Sequence, residues 1–452
     1  MALLTRQATQ TTSARVKALL DPAAVRQRLT ERVNTTPGRL TAYLLLLGLL
    51  GVLTGISAVV GVGGRSDLVD AVATRSGPLA VQAQLLYRSL SDADATAAAA
   101  FLSSGTEPPE LRARYQSDIA AASGALAAAS RVSTDDAALA AAVSDIAVSL
   151  PVYTGLVETA RTYNRQNLPV GAAYVREASA LMRQRLLPAA DRLYGLETQR
   201  LADDRDGAAA FPWLTVPLLL ATLAGLAVTQ VYLVRRTRRL VNVGLATATA
   251  AGLVLLLWVG LSWIGAAVNL NASERDGSAQ VEVLAQARIA ALQARADEAL
   301  TLVARGSGGG FEEDFKTNFT KLAGEDGRGG LLARAQNDAT DPVIREALGG
   351  AVTAANVWRL VHLQLRDLDD TGQYPEAVRL AIGGDTGSAA TAFNVVDDRL
   401  ALAIATANRA FTDRADSAGG ALVGAGFGWT VLTIVLVAGV VVGLQQRIAE
   451  YR

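Results

Sequence analysis

The sequence predicts an all-α membrane protein with four transmembrane helices and two extracytoplasmic four-helix bundles, related by internal duplication. Three observations carry this prediction: four apolar stretches without a charged side chain, an uneven charge distribution between them, and landmarks that recur at a nearly constant spacing. The stretches occupy residues 40–62, 211–234, 240–270 and 418–444. About 20 apolar residues let a helix cross ~30 Å of hydrocarbon, and a soluble helix of that length normally keeps a polar face.

Each segment follows from this pattern. A basic cytoplasmic tail (1–39) leads into a first span (40–63), and an extracytoplasmic bundle (64–210) is followed by a second span (211–234). An arginine turn (235–239) and a third span (240–270) come next. The second bundle (271–417), a fourth span (418–444) and a short tail (445–452) complete the order. The formal net charge of zero hides an asymmetry: residues 1–39 carry +5, the 235–239 turn +4 and the tail +1, against −3 over 65–210 and −7 over 271–417. Short arginine-rich segments stay cytoplasmic, which places both termini inside and both long segments outside the plasma membrane. Trp213, Trp258, Trp263 and Trp429 sit toward the expected outer ends of their spans, as interfacial aromatics do. The 39-residue basic leader and long first apolar run exceed signal-peptide dimensions, so the first span reads as an uncleaved anchor.

Within the long segments the apolar spacing is helical, with no strand alternation. Val175, Ala178, Met182, Leu186, Ala189 and Leu193 trace one helix face, and Phe393, Val396, Leu400, Ala403, Ala407 and Phe411 trace another. Breaks at 103–109, 132–134 and 167–171 predict helices near 65–102, 110–131, 135–165 and 171–210. The second segment breaks at 306–310, 324–330, 339–342 and 371–375. Four helices with short connections suit an up-down-up-down bundle. The first and fourth helices of each bundle are expected to run into the flanking spans, with Pro151 and Pro188 interrupting helices three and four of the first. The Gly383-Gly384 pair is a further candidate break. Duplication is read from Asp94 and Asp297 (203 apart), Leu156 and Leu360 (204), Gln166 and Gln373 (207), and Asp191 and Asp398 (207).

The chemistry is sparse. There is no cysteine and a single histidine, His362, so disulfides and thiolate metal sites are excluded and histidine-based catalysis is disfavoured. No Walker loop, nucleophile elbow or zincin motif occurs. The pairs Asp135-Asp136, Asp203-Asp204, Glu312-Glu313 and Asp369-Asp370 lie at helix starts or among arginines, where capping and solvation account for them. No ionisable residue lies within a span, and Gln230 and Asn242 sit near span ends, which argues against a pump. The reading is a non-enzyme without cofactor or metal and without affinity for nucleic acid.

Two groups of residues are candidates for partner binding. Loops at the bundle tips are common recognition sites. They bring together 107–110 with Arg165, Gln166, Asn167 and Pro169, flanked by Arg161, Tyr163, Tyr174 and Arg176, and in the second bundle 307–310 with Thr371, Gln373 and Tyr374. On the inner face, Asp21-Pro22 opens an amphipathic helix carrying Arg26, Arg28 and Arg32. That helix reads either as lying on anionic lipid or as docking a cytoplasmic protein, and Arg235, Arg236, Arg238 and Arg239 form the second basic site.

Four spans, two helical bundles and a minimal basic inner face, with segments such as NRQNLPVGAAYVREASALMRQ, resemble the GlnX family of actinobacterial membrane proteins. The bundles themselves resemble the sensory modules of bacterial chemoreceptors. The resemblance implies a transmembrane signal transducer linking an extracytoplasmic solute-binding lipoprotein, and hence glutamate or aspartate availability, to a cytoplasmic Ser/Thr kinase. A homodimer is compatible with it. An envelope scaffold and an accessory subunit of a transporter are the alternative readings.

Overall fold

The computed structural model describes residues 36–103, 107–131, 136–237, 242–273, 279–420 and 425–449. The chain is an all-α membrane protein. By internal contacts it divides into two compact units, one built from the described parts of 1–66, 210–265 and 421–452, the other from 67–209 and 266–420.

The first unit holds most of α1 (Thr36–Ala71) and α8 (Val243–Ser273), together with α7 (Thr215–Thr237) and α15 (Ala425–Ala449). All four helices are long and apolar enough to cross a membrane. Leu40, Leu47, Leu226, Leu245, Leu436 and Val440 fill their common core. Small residues set the approach of α8 to α15: a Cβ on Gly244 would stand 2.6 Å from the Cα of Gly443. Asn242 Nδ2 donates to the Gly443 carbonyl at 2.8 Å, and Gln230 Nε2 donates to Thr249 Oγ1 at 2.9 Å. The two polar residues read near span ends therefore join helices, as hydrogen bonds and small residues do where lipid removes any hydrophobic drive.

In the second unit the first half (67–209) contains four arms. Helical backbone continues from α1 through a π-turn (Val72–Ser76) into α2 (Gly77–Phe101). Then come α3 (Pro109–Ser130), α4 (Ala137–Arg165) and a fourth arm of α5 (Gly171–Leu181), a π-turn (Met182–Leu186) and α6 (Leu187–Ala209). These match the expected four helices closely. The prolines do not break them. Pro151 sits inside α4, and Pro188 follows the π-turn, whose wider register has Leu187 N–H donating to Met182 O and so accommodates the missing donor.

The second half (266–420) has the same four arms, two of them divided. Its elements are α9 (Ala279–Val303), α10 (Gly309–Ala323) with α11 (Gly330–Asp338), α12 (Pro342–Asp370), and α13 (Tyr374–Ile382) with α14 (Ala389–Gly420). The glycine breaks at 324–330 and 383–384 are thus real divisions. One expectation fails: α6 ends at Ala209 and α7 starts at Thr215, so the fourth arm does not run into its span. Pro212 explains this, because it disfavours helix at the residue before it. The junctions at 274–278 and 421–424 lie outside the described residues.

The third arms show the duplication most directly. Asp136 Oδ1 caps α4 by accepting from Ala138 N and Leu139 N, and Asp341 Oδ1 caps α12 by accepting from Val343 N and Ile344 N. At the other end, Leu168 N–H donates to Tyr163 O with Asn167 at φ 56°, while Gln373 N–H donates to Leu368 O with Gly372 at φ 80°. Both are Schellman closures, which need a left-handed residue. Asp136 to Asp341 and Asn167 to Gly372 each span 205 residues, and both arms contain 29 residues. The helix caps thereby correct the sequence register: Leu168, not Gln166, is the counterpart of Gln373.

Each half has its own core, around Leu86, Ile146, Tyr153 and Met182 in the first and around Leu284, Phe315, Trp358 and Leu400 in the second. A third cluster is shared, with Ala98, Leu102 and Val175 meeting Leu300, Leu365 and Ala377. The first arms, α2 and α9, pack on each other. Both are alanine-rich and buried around most of their circumference, since small side chains let neighbouring backbones approach from several sides.

Candidate functional site

Charged side chains stand buried between the two halves. Arg114 on α3 donates from Nε to Asp92 Oδ1 at 2.9 Å and from Nη2 to Asp397 Oδ2 at 3.1 Å. Asp397, on α14, accepts in turn from Arg288 Nε at 2.6 Å and Nη2 at 3.0 Å. The result is an alternating chain, Asp92–Arg114–Asp397–Arg288, that crosses from one half to the other. Burial raises the Asp92 carboxyl, whereas at Asp397 the opposing guanidiniums of Arg288, Arg114 and Arg88 outweigh burial and hold the carboxyl below its usual value. Asp118 lies beside the chain, pushed up to about 7 by burial and by Asp92.

A second crossing uses the aspartates that suggested duplication. Asp94 on α2 accepts from Ser179 Oγ at 2.7 Å and Tyr153 Oη at 3.4 Å, and burial raises its carboxyl. Asp297 on α9 pairs with Arg183, accepts from Asn318 Nδ2 at 2.8 Å, and is raised to about 6 by burial against the pull of Arg183. Arg183 belongs to the π-turn of the first half and also reaches Asp314 at 3.2 Å. Sequence reasoning missed Arg183, since nothing in periodicity marks a register change inside a helix. His362 is buried against Phe315, with Nδ1 3.0 Å from Glu298 Oε1 and Nε2 3.3 Å from Glu312 Oε2. Burial opposes its protonation, but hydrogen bonds to the two glutamates win and raise its pKa.

The expected tip residues separate into two sets. Arg161 and Arg165 line one cavity of about 120 Å³, together with Glu107, Arg112, Asn164 and an apolar wall that includes Phe101 and Val157. Arg161 pairs with Glu107 at 3.0 Å and with Glu158, and its guanidinium lies 4.2 Å from the Tyr115 ring centroid. Tyr163 stacks on Tyr174 with centroids 5.4 Å apart. Tyr374 packs at the shared core near Tyr174, donates to Leu302 O at 3.2 Å and lies under Arg305. In contrast, Gln166, Asn167, Arg176 and Gln373 are exposed and outside the cavity lining. Arg112 and Asn164 are cavity residues that the sequence reading did not single out.

Of the basic residues expected on the inner face, Arg26, Arg28, Arg32, Arg238 and Arg239 lie outside the described residues; Arg235 is exposed near the end of α7. Of the acidic pairs, Asp136 caps α4 and Asp369 and Asp370 both bind Arg366, whereas Glu312 is largely buried between His362 and Arg366. Among the described residues, no three His, Cys, Asp or Glu side chains group so as to hold a metal ion.

Residues 68–206, nearly all of the first half, match a family described as an actinobacterial sensor domain. No curated protein and no solved structure matches the chain. The family match, together with the apolar helices, supports a sensory or signalling membrane protein of actinobacterial type.

Proposed function

We propose that this chain is a non-enzymatic transmembrane signal transducer. In this reading the second unit lies outside the plasma membrane, both termini and the 235–239 turn lie inside, and an amino-acid signal arrives through a solute-binding lipoprotein docked on the helical unit. A cytoplasmic Ser/Thr kinase receives the output, as the resemblance to the GlnX family implies. The similarity of residues 68–206 to a sensor domain is the observation that carries the reading. The ion-paired contact between the halves supports it physically, since an interface held by discrete charge pairs offers alternative arrangements that a ligand can bias. The positive-inside distribution supports the orientation.

In-cell crosslinking from native membranes, with mass spectrometry and with or without added glutamate or aspartate, tests the proposal. Recovery of a binding lipoprotein and a kinase, with crosslinks that respond to the amino acid, is the expected result. Recovery of ligand-indifferent envelope proteins alone would replace the transducer with a scaffold.

A further inference from the structure

The 205-residue repeat allows the Arg161 cavity to be compared with its counterpart in the same molecule. In the third arms Arg161, Asn164 and Arg165 correspond to Arg366, Asp369 and Asp370, and Glu107 and Glu312 each pair with the arginine of their own half. In the second half the arginine is surrounded by carboxylates: Arg366 Nη1 donates to Asp369 at 2.6 Å and Nη2 to Asp370 at 2.6 Å, while Nε lies 3.5 Å from Glu312 in an ion pair. In the first half those two aspartates are an asparagine and another arginine. Arg161 keeps Glu107 and Glu158, but its Nε–H is buried without an acceptor. Buried donors are rarely left unpaired. The cavity is lined by three arginines against one glutamate, with Glu158 reaching Arg161 and Arg112 from beside it, so it holds one carboxylate fewer around its arginine than the second half supplies from its own chain.

We propose that the cavity directly binds a small carboxylate, which takes the place that Asp369 and Asp370 fill in the second half. Arg165 and Arg161 hold the carboxylate by charge-assisted hydrogen bonds, and the apolar wall receives a short aliphatic tail. A cavity of 150 Å³ accommodates benzene, so the 120 Å³ here suits a ligand of about five heavy atoms. Propionate and alanine represent the plain carboxylate and the amino-acid form. Direct binding goes beyond the transducer reading and stands or falls separately from it.

The test uses the full chain in nanodiscs, titrated with propionate or alanine at fixed ionic strength, with chloride as control and thermal shift and calorimetry as readouts. Saturable binding of at least one carboxylate is expected. Arg165→Gln, at an exposed position, should weaken it about tenfold or more. Arg165→Asp, which copies the second half at an exposed position and keeps the Asn164 Nδ2 bonds to the Phe101 and Ser103 carbonyls, should abolish it while leaving the chain folded. Arg379→Gln, an exposed position in the second half, should leave it unchanged. Absence of saturable binding to the native chain, an equal response to chloride, or unaltered affinity in Arg165→Asp would overturn the proposal. Binding without any change in partner crosslinks would leave the cavity in place and remove the transducer. Ligand-responsive crosslinks without direct binding would do the reverse.

Discussion

Asp397 holds two arginines from different halves, and its loss leaves buried Arg288 without its carboxylate and half-buried Arg114 with Asp92 alone. Removing one member of a buried pair typically costs about 3–5 kcal/mol, so Asp397→Ala should destabilise the helical unit by that order in thermal or denaturant unfolding. His362 adds a pH dependence of definite sign. Its folded pKa lies above its ordinary 6.5, so its contribution is complete below pH 6.5 and disappears as pH rises through the folded value. Asp118, raised from 3.8 to about 7, acts in the same direction between those values. Thermal stability should therefore fall from pH 6 to pH 9, and His362→Gln should flatten that fall while lowering stability at pH 6. A stability that rises with pH would refute this assignment. Arg161 and Arg165 were legible in the sequence because tip loops concentrate recognition residues. The counter-ions of Arg183 and Arg114 were not, because they depend on which helices meet.

At the scale of elements, α4 is informative because it too is long and apolar enough to span a membrane. Its inner face packs in the first core through Leu139, Ile146, Tyr153 and Val157, while Asp145 on the outer face pairs with Arg192 in an exposed position. A charged residue facing lipid is costly, so we place α4 in the solvated bundle. The absence of cysteine makes this directly testable. Ser144→Cys and Thr371→Cys, both at exposed positions, should react in intact cells with a membrane-impermeant maleimide, and protection of Ser144→Cys would move α4 into the bilayer. Helix order and most boundaries followed from apolar spacing and Gly/Pro punctuation. The break at 210–214 is encoded by Pro212 but reads as part of the span, and the π-turns were not legible, since they depend on local backbone hydrogen bonding that composition does not encode.

For the whole molecule, the main point is that the two halves bury each other along α2 and α9 within one chain. Pairing of sensor halves then needs no second copy, and the unfolding temperature of the helical unit should not depend on protein concentration; a rise with concentration would indicate stabilisation by oligomer formation. The sequence indicated two related bundles through recurring landmarks, yet it placed the repeat at offsets from 203 to 207. The shared interval of 205 emerged only when the aspartate caps and left-handed closures of α4 and α12 fixed the register. Packing between the halves was invisible for a related reason: alanine-rich helices look uniform along the sequence, and only burial distinguishes their contact faces.

The unequal pair, Arg161 short of an anion and Arg366 supplied with three carboxylates, has a consequence for measurement itself. Two identical copies would respond identically to any ligand. Here one copy carries its full counter-charge internally and serves as a reference arm, whereas the other, with Glu107 and Glu158 alone, completes its counter-charge from solution. Temperature acts on both arms, while a carboxylate acts on one. Such a chain reports a difference, with one ligand per polypeptide as its unit of signal.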